Sequence, residues 1–170
     1  MSRIIRTHLT VDASVETVWQ TLMHLPGYRT WNPFITTAAG DIAIGERLDL
    51  IIEPPGGRRL HLKPWVTALQ PLHYLEWLSR LAMPGILDGR HSFALTRMAG
   101  ARTLLQQSET FTGMLVPVIG ALRTQTRAGF IAMNTALAEE AKSATGGFAC
   151  CPWSPSGKPP PPAPKPLHES

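Results

Sequence analysis

The 170-residue chain is long enough for one domain of ordinary size and too short for two. Apolar residues make up 44% and charged residues 16%, a balance that permits a hydrophobic core and excludes disorder along the whole chain. The net charge is +4, but the arginines that dominate it are scattered, whereas nucleic-acid binders concentrate positive charge on one stripe or helix. We therefore expect no nucleic-acid partner.

Targeting and cofactor signals are missing from the sequence. No apolar run approaches the ~18 residues that a membrane-spanning helix needs, and residues 1–11 lack the long apolar core of a signal peptide. The sequence contains no CxxC or HExxH pair, no G-x-S-x-G elbow, no phosphate-binding loop and no dinucleotide fingerprint. We therefore expect a cytoplasmic protein without an integral membrane segment, a metal or a cofactor.

The composition changes near residue 144 and divides the chain in two. Residues 145–170 hold eight of the 16 prolines, and such a segment buries too little apolar surface to offset its ordering entropy. We predict a folded domain over residues 1–144 and a disordered Pro-rich tail over residues 145–170. Lys158, Pro161 and Pro164 have the K-x-x-P-x-x-P spacing of an SH3 ligand, with a plain linker as the alternative. The adjacent Cys150 and Cys151 also lie in the tail.

The first predicted elements are a strand and a helix. Residues 3–11 alternate weakly and are rich in β-branched side chains, which favours a strand. Ser14 is placed to cap a helix whose apolar positions recur at helical spacing. These positions are Val15, Val18, Trp19 and Leu22. Residues 25–27 end the helix, and residues 28–31 form one further short turn.

The middle of the chain alternates with the period of β-strands. Residues 48–53 form a half-buried strand, and the turn chemistry of residues 54–57 returns the next strand antiparallel. Further strands follow, with turns at residues 70–71 and 99–101 between them. The inward positions are Leu48, Leu50, Ile52, Leu60, Leu62, Val66, Leu75, Trp77, Ser79, Leu81, His91, Phe93, Leu95, Leu105, Gln107, Glu109 and Phe111. This pattern predicts an antiparallel meander.

A long amphipathic helix completes the predicted domain. Between Pro117 and Lys142 there is no further proline, and one face recurs at helical spacing over about 25 residues. That face consists of Ile119, Leu122, Thr126, Phe130, Met133 and Leu137. The helix and a curved sheet must bury their apolar faces on each other. Since one helix cannot touch every inward residue, we predict a cavity between the sheet and the helix.

This order of elements resembles that of the SRPBCC superfamily, which includes START, Bet v 1-like, polyketide cyclase/dehydrase-like and CoxG-like proteins. The similar stretches are residues 18–19, 28–34, 44–46, 89–93, 109–113 and 130–137, so the resemblance extends over residues 3–143. It implies an α+β helix-grip fold, in which a curved antiparallel sheet of about six or seven strands wraps round a long C-terminal helix. It also implies a hydrophobic small molecule as the partner, in a superfamily of carriers, cyclases, hydrolases and co-chaperone-like modules.

Three polar residues break the apolar inner face of the predicted sheet. His91, Gln107 and Glu109 have inward parity, and they form one polar cluster in an apolar cavity if the last two strands are neighbours. The cluster suits hydrogen bonding to a ligand or acid–base catalysis by Glu109 and His91, with a self-satisfied structural network as the alternative. The predicted ligand pocket consists of Trp31, Phe34, Leu50, Ile52, Leu62, Trp77, His91, Phe93, Gln107, Glu109, Phe111, Phe130 and Met133.

Three functions remain open from the sequence. The leading hypothesis is binding of a hydrophobic small molecule, such as a lipid, a polyketide or an aromatic compound, between the sheet and the C-terminal helix. The alternative is an enzyme of the polyketide cyclase or dehydratase type that uses the same cavity. A co-chaperone-like interaction module comes third, because it requires an exposed apolar patch and the predicted outer face of the sheet is charged. The charged residues of that face are Arg47, Asp49, Arg59, Lys63, Glu76 and Arg80.

Overall fold

A computed structural model describes residues 2–81 and 83–144 of the chain. The predicted tail, with Cys150, Cys151 and the SH3-type spacing, lies outside the described residues. The strands are β1 (Ser2–Val11), β2 (Ile35–Ala39), β3 (Asp49–Ile52), β4 (Leu60–Leu62), β5 (Trp65–Gln70), β6 (Tyr74–Leu81), β7 (Leu87–Met98) and β8 (Arg102–Thr112). The helices are α1 (Val15–Met23), α2 (Tyr28–Trp31) and α3 (Gly120–Ala144), with 3₁₀ turns at Leu25–Gly27 and Val116–Val118.

The strands form two antiparallel sheets. The larger sheet has five strands in the order β1-β8-β7-β6-β5, and the smaller sheet has three in the order β2-β3-β4. An isolated bridge between Arg47 and Trp65 joins the chain before β3 to the start of β5. The backbone N–H of Val66 also donates to the carbonyl of Glu46 at 2.9 Å. These contacts join the segment before β3 to the edge strand β5, so the predicted curved sheet is made of two connected parts.

The structure differs from the sequence prediction at two strands. Leu60, Leu62 and Val66 were expected on one strand, but the chain is divided between β4 and β5 at Pro64. Proline has no backbone N–H for a ladder, and the Pro64 carbonyl instead accepts a hydrogen bond from Leu48 N at 2.9 Å. The second difference is β2, which was not predicted, because its sequence ITTAA has little apolar alternation.

The first helical segment follows the sequence prediction closely. Ser14 caps α1, since its Oγ accepts a hydrogen bond from Thr17 N at 3.3 Å. Tyr28 is fully buried at the start of α2, and its hydroxyl donates to the Leu22 carbonyl at 2.8 Å. Burial raises the pKa of Tyr28 above its ordinary value, so the phenol stays a hydrogen-bond donor. This bond fixes α2 against the end of α1.

Helix α3 packs along the inner face of the larger sheet and against β1 and α1. Its buried face includes Phe130, Met133 and Leu137, as the helical spacing predicts. Asn134 Nδ2 donates to Thr7 Oγ1 at 3.0 Å and fixes the helix on β1. Pro117 lies in the 3₁₀ turn before the helix, where a missing N–H costs little. The core therefore lies between α3, the short helices and the inner faces of both sheets.

Gly129 allows α3 to approach the loop that precedes β2. A Cβ atom at this position would collide with the ring of Phe34, which packs edge-on against Phe130 at a centroid distance of 5.6 Å. We expect Gly129→Ala to destabilise the fold by about 1–2 kcal/mol, because overpacking costs more than the improved helix propensity returns. The measurement is the free energy of unfolding in urea.

Gly120→Ala is the matched control for this substitution. Gly120 begins the same helix, and a Cβ atom there meets nothing within 4 Å. The control should therefore leave stability unchanged or raise it slightly. Equal effects at Gly120 and Gly129 would contradict the close approach of Phe34.

Candidate functional site

The centre of the candidate site is a buried pair of ionisable side chains. His91 on β7 stands directly opposite Glu109 on β8, and both side chains point to the inner face of the larger sheet. His91 is 5% exposed and Glu109 8%. His91 Nδ1 lies 2.9 Å from Glu109 Oε2. Since a buried carboxylate is costly unless it has a partner, this contact is what permits Glu109 to lie inside.

The imidazole of His91 is in contact with three aromatic rings and one amide. Trp77 stacks on it at a centroid distance of 4.8 Å and an interplanar angle of 11°. Phe93 and Phe130 pack against the same ring at 4.7 and 4.8 Å. Gln107 Nε2 lies 3.2 Å from His91 Nε2. With the Gln107 amide in this orientation, His91 Nε2 accepts a hydrogen bond from Gln107. His91 Nδ1 then carries the hydrogen and donates a hydrogen bond to Glu109.

Gln107 belongs to the packed wall behind this pair. Its side chain is fully buried, and its Nε2 also lies 3.4 Å from the sulfur of Met133. Its Oε1 has no hydrogen-bond partner among the described residues. The residue therefore orients His91 from the side that faces α3.

Gly89 makes room for the carboxylate of Glu109. It lies on β7 opposite Phe111, two residues before His91. A Cβ atom at Gly89 would collide with Glu109 Oε1. Glycine inside a strand often marks a close approach of this kind. We assign Gly89 a positioning role, because it allows Glu109 to lie beside His91.

A cavity of about 110 Å³ opens beside the pair, between the two sheets and α3. Its wall consists of Phe34, Ile52, Pro54, Leu60, Leu62, Trp77, Ser79, Arg80, Leu87, Gly89, His91, Glu109, Phe111, Leu122 and Thr126. Most of the wall is apolar, and His91 and Glu109 are its buried ionisable members. Leu60 and Arg80 are exposed to solvent and mark the mouth. The volume is smaller than the ~300 Å³ at the low end of ordinary small-molecule pockets.

The structure divides the thirteen residues of the predicted pocket into two groups. Those on the cavity wall are Phe34, Ile52, Leu62, Trp77, His91, Glu109 and Phe111. Those away from the wall are Trp31, Leu50, Phe93, Gln107, Phe130 and Met133. Trp31 packs edge-on against Tyr28, and the other five are fully buried in the packed core.

Sequence reasoning missed several residues of the wall. They are Pro54, Leu60, Ser79, Arg80, Leu87, Gly89, Leu122 and Thr126. The strand alternation and the helical spacing predict inward positions for Leu60, Ser79, Leu122 and Thr126, and that parity is the available signal. The sequence predicts Pro54 in a turn and Arg80 on the outer face, so neither residue carries a signal for the cavity.

The outer face of the larger sheet pairs its own charges. Glu76 accepts hydrogen bonds from Thr67, Tyr74 and Arg90, the last at 2.5 Å. Burial alone would raise the pKa of Glu76, but these hydrogen bonds and the Arg90 charge lower it below its ordinary value. The paired charges leave this face a polar surface, which does not favour the co-chaperone-like hypothesis.

Among residues 2–81 and 83–144, no three His, Cys, Asp or Glu side chains come together as metal ligands do. Within the same part of the chain, no helix combines the length and the apolar character needed to cross a bilayer.

The architecture is similar to that of several solved structures. The Zhui aromatase/cyclase from Streptomyces sp. R1128 superposes with a TM-score of 0.72 at 16% identity, covering 88% of this chain and 100% of that chain. A START superfamily protein from Mycobacterium smegmatis gives 0.67 at 18% identity, with 82% and 97% covered. A norcoclaurine synthase point mutant from Thalictrum flavum, in complex with a transition-state analogue, gives 0.68 at 15% identity, with 85% and 97% covered.

The chain therefore has the α+β helix-grip fold of the START and Bet v 1-like, or SRPBCC, proteins, and polyketide cyclases share this fold. Neither a protein-family model nor a curated protein sequence matches the chain. At identities of 15–18% the likeness concerns the fold, so no catalytic residue is carried over from these proteins.

Proposed function

We propose that the protein binds a hydrophobic small molecule in the cavity and holds a polar group of that ligand at Glu109. The observation that carries this proposal is that only one of the two carboxylate oxygens of Glu109 has a hydrogen-bond partner within the described part of the chain. Oε2 is engaged by His91 Nδ1, whereas Oε1 accepts no hydrogen bond from the described residues. An unpartnered oxygen of a mostly buried carboxylate, beside an apolar cavity, favours a ligand that brings a hydroxyl donor.

The size of the cavity limits what enters it. An apolar cavity of about 150 Å³ holds one benzene molecule. At about 110 Å³ the cavity is smaller than that, so it takes a short alkyl chain or part of one ring, with the remainder of the ligand passing between Leu60 and Arg80 at the mouth. A phenol or an enol meets both requirements, because its ring is apolar and its hydroxyl donates. The aromatase/cyclase and norcoclaurine synthase with the same fold lend support to an aromatic ligand.

Ligand-observed NMR with phenol and anisole tests the proposal. The two probes have similar rings, but anisole lacks the hydroxyl donor. We expect phenol to bind and anisole to bind more weakly by about tenfold, since a hydrogen bond to a charged group is worth about 1.5–3 kcal/mol. Weak or absent binding of both probes, repeated with 2-naphthol and octanoic acid, would contradict the proposal.

A cavity-filling variant locates the binding. Leu122→Trp on α3 places an indole in the cavity and should abolish phenol binding. Ile131→Trp is the matched control, since Ile131 lies on the same helix, is 47% exposed and is not part of the wall. Phenol binding that survives Leu122→Trp would place the ligand elsewhere.

Acid–base catalysis is the second candidate function. The free Oε1 of Glu109 favours it, because a carboxylate within reach of a bound enol or phenol accepts its proton while His91 holds the other oxygen. Glu109→Gln keeps the shape of the side chain and removes the base. On an aromatic polyketide substrate, turnover should fall about 10²–10⁴-fold. Unchanged turnover in this variant would remove Glu109 from the mechanism, and absence of turnover by the unaltered protein would leave binding as the function.

A further inference from the structure

A second cleft lies between α3 and the edge strand β1. Its volume is about 380 Å³, and no residue lines both this cleft and the cavity. The lining residues are Ile4, Ile5, Arg6, Gly120, Arg123, Thr124 and Arg127. Leu122 and Thr126 of the same helix face the cavity, so α3 separates the two spaces.

The cleft gathers three arginines. Arg123 and Arg127 are one helical turn apart and share a face of α3, and Arg6 lines the cleft from β1. Among the described residues none of the three forms an ion pair. Strand β1 carries no acidic residue, and α3 carries none before Glu139. The two elements that carry these arginines therefore supply no counter-charge to them near the cleft.

One of these guanidinium groups has an unmet hydrogen bond. Arg123 Nε is buried and has no acceptor among the described residues. Buried donors are nearly always paired, so a buried N–H in a cleft that Arg6 and Arg127 also line indicates an acceptor that the described residues do not supply. Gly120 opens the first turn of α3 to the same cleft, and a Cβ atom there would meet nothing within 4 Å. The positive end of the helix dipole adds to the charge of the arginines.

We propose that this cleft is a binding site for a phosphate group. Guanidinium groups present paired donors that match the oxygens of phosphate, and three of them without a carboxylate partner favour a doubly charged anion over chloride. Inorganic phosphate, a soluble phosphate monoester and a phospholipid headgroup share this chemistry. The site is independent of the proposed hydrophobic ligand, because α3 lies between the two.

Titration of the full chain with sodium phosphate, against sodium chloride at equal ionic strength, tests this proposal. The Nε–H signals of the arginines in a ¹⁵N-¹H NMR spectrum report the site directly. We expect saturable phosphate binding with shifts at Arg123, Arg127 and Arg6. Shifts that are the same in phosphate and chloride would overturn the proposal.

Three variants distinguish a specific phosphate site from non-specific attraction by positive charge. Arg123→Lys keeps the charge and removes the planar fork, and it should weaken phosphate binding about tenfold. Arg127→Ala should do the same, and because Arg127 is exposed its replacement does not threaten the fold. Arg58→Ala, in the exposed turn before β4, is the matched control and should bind as the unaltered protein does. If Arg123→Lys and Arg127→Ala bind phosphate with unchanged affinity, the site does not exist.

Two further probes identify the source of the phosphate group. Tighter binding of glycerol 3-phosphate than of inorganic phosphate, lost in Arg123→Lys, supports the site with a soluble monoester. Binding to vesicles containing phosphatidic acid, also lost in Arg123→Lys, supports it with a lipid headgroup. Phenol binding in the cavity should be the same in Arg123→Lys as in the unaltered protein, so failure of one site is distinguishable from failure of the other.

Discussion

Replacing His91 by alanine is expected to destabilise the protein by about 3–5 kcal/mol, the largest stability effect that the structure predicts. The substitution leaves the carboxylate of Glu109 buried without its partner at 2.9 Å. It also removes the ring that Trp77, Phe93 and Phe130 enclose. Urea unfolding at pH 7 measures the loss.

His61→Ala is the matched control for this prediction. His61 contacts Asp49 at 2.7 Å, a distance similar to that of the buried pair, but both side chains are about half exposed. Exposed ion pairs contribute little to stability, so this variant should unfold at nearly the same urea concentration as the unaltered protein. A similar loss in both variants would mean that burial is not what makes the His91–Glu109 pair important.

Gly89→Ala is expected to weaken phenol binding about ten- to hundredfold. The added methyl group collides with Glu109 Oε1, the oxygen that we propose holds the ligand hydroxyl. The carboxylate must rotate away from the cavity, and its hydrogen bond to His91 should lengthen. NMR titration with phenol measures the affinity, and the unfolding midpoint shows how much of the effect comes from overpacking.

A compensating substitution tests the steric cause directly. Glu109→Asp shortens the side chain by one methylene and withdraws it from Gly89. In the Gly89→Ala/Glu109→Asp double variant, the collision should be relieved and stability should recover relative to Gly89→Ala. If Gly89→Ala binds phenol as the unaltered protein does, Gly89 has no positioning role.

The pairing of His91 with Glu109 follows from the sequence in a simple way. The alternation of apolar residues predicts that both side chains point inward, and the structure confirms this. The turn predicted at residues 99–101 then sets the register, because a hairpin centred on Gly100 places residue 91 opposite residue 109. Local patterns are sufficient here, since the two strands are joined by one short turn.

The division between cavity wall and packed core does not follow from the sequence. Alternation predicts that Phe93, Gln107 and Phe111 all point inward, yet Phe111 lines the cavity and the other two are fully packed. The difference depends on where α3 crosses the sheet and on how the smaller sheet joins the larger one. Those are long-range contacts that no local pattern encodes.

The arginine cleft is a second feature, at the surface, that local sequence patterns do not predict. Arg6 and Arg123 are far apart in the sequence, where the arginines are scattered and indicate no binding site. The packing of α3 on β1 brings them to one cleft. A charge cluster of this kind becomes visible only when the tertiary contacts are known.

The position of β1 has a consequence for how the chain acquires its structure. This strand precedes the other described elements, but it pairs with β8 and packs under α3, which come late in the domain. Closing a loop of such length is entropically costly, so folding should be slow for a domain of this size. During synthesis β1 cannot pair until β8 and α3 have emerged, so its apolar positions are prone to aggregate over that interval.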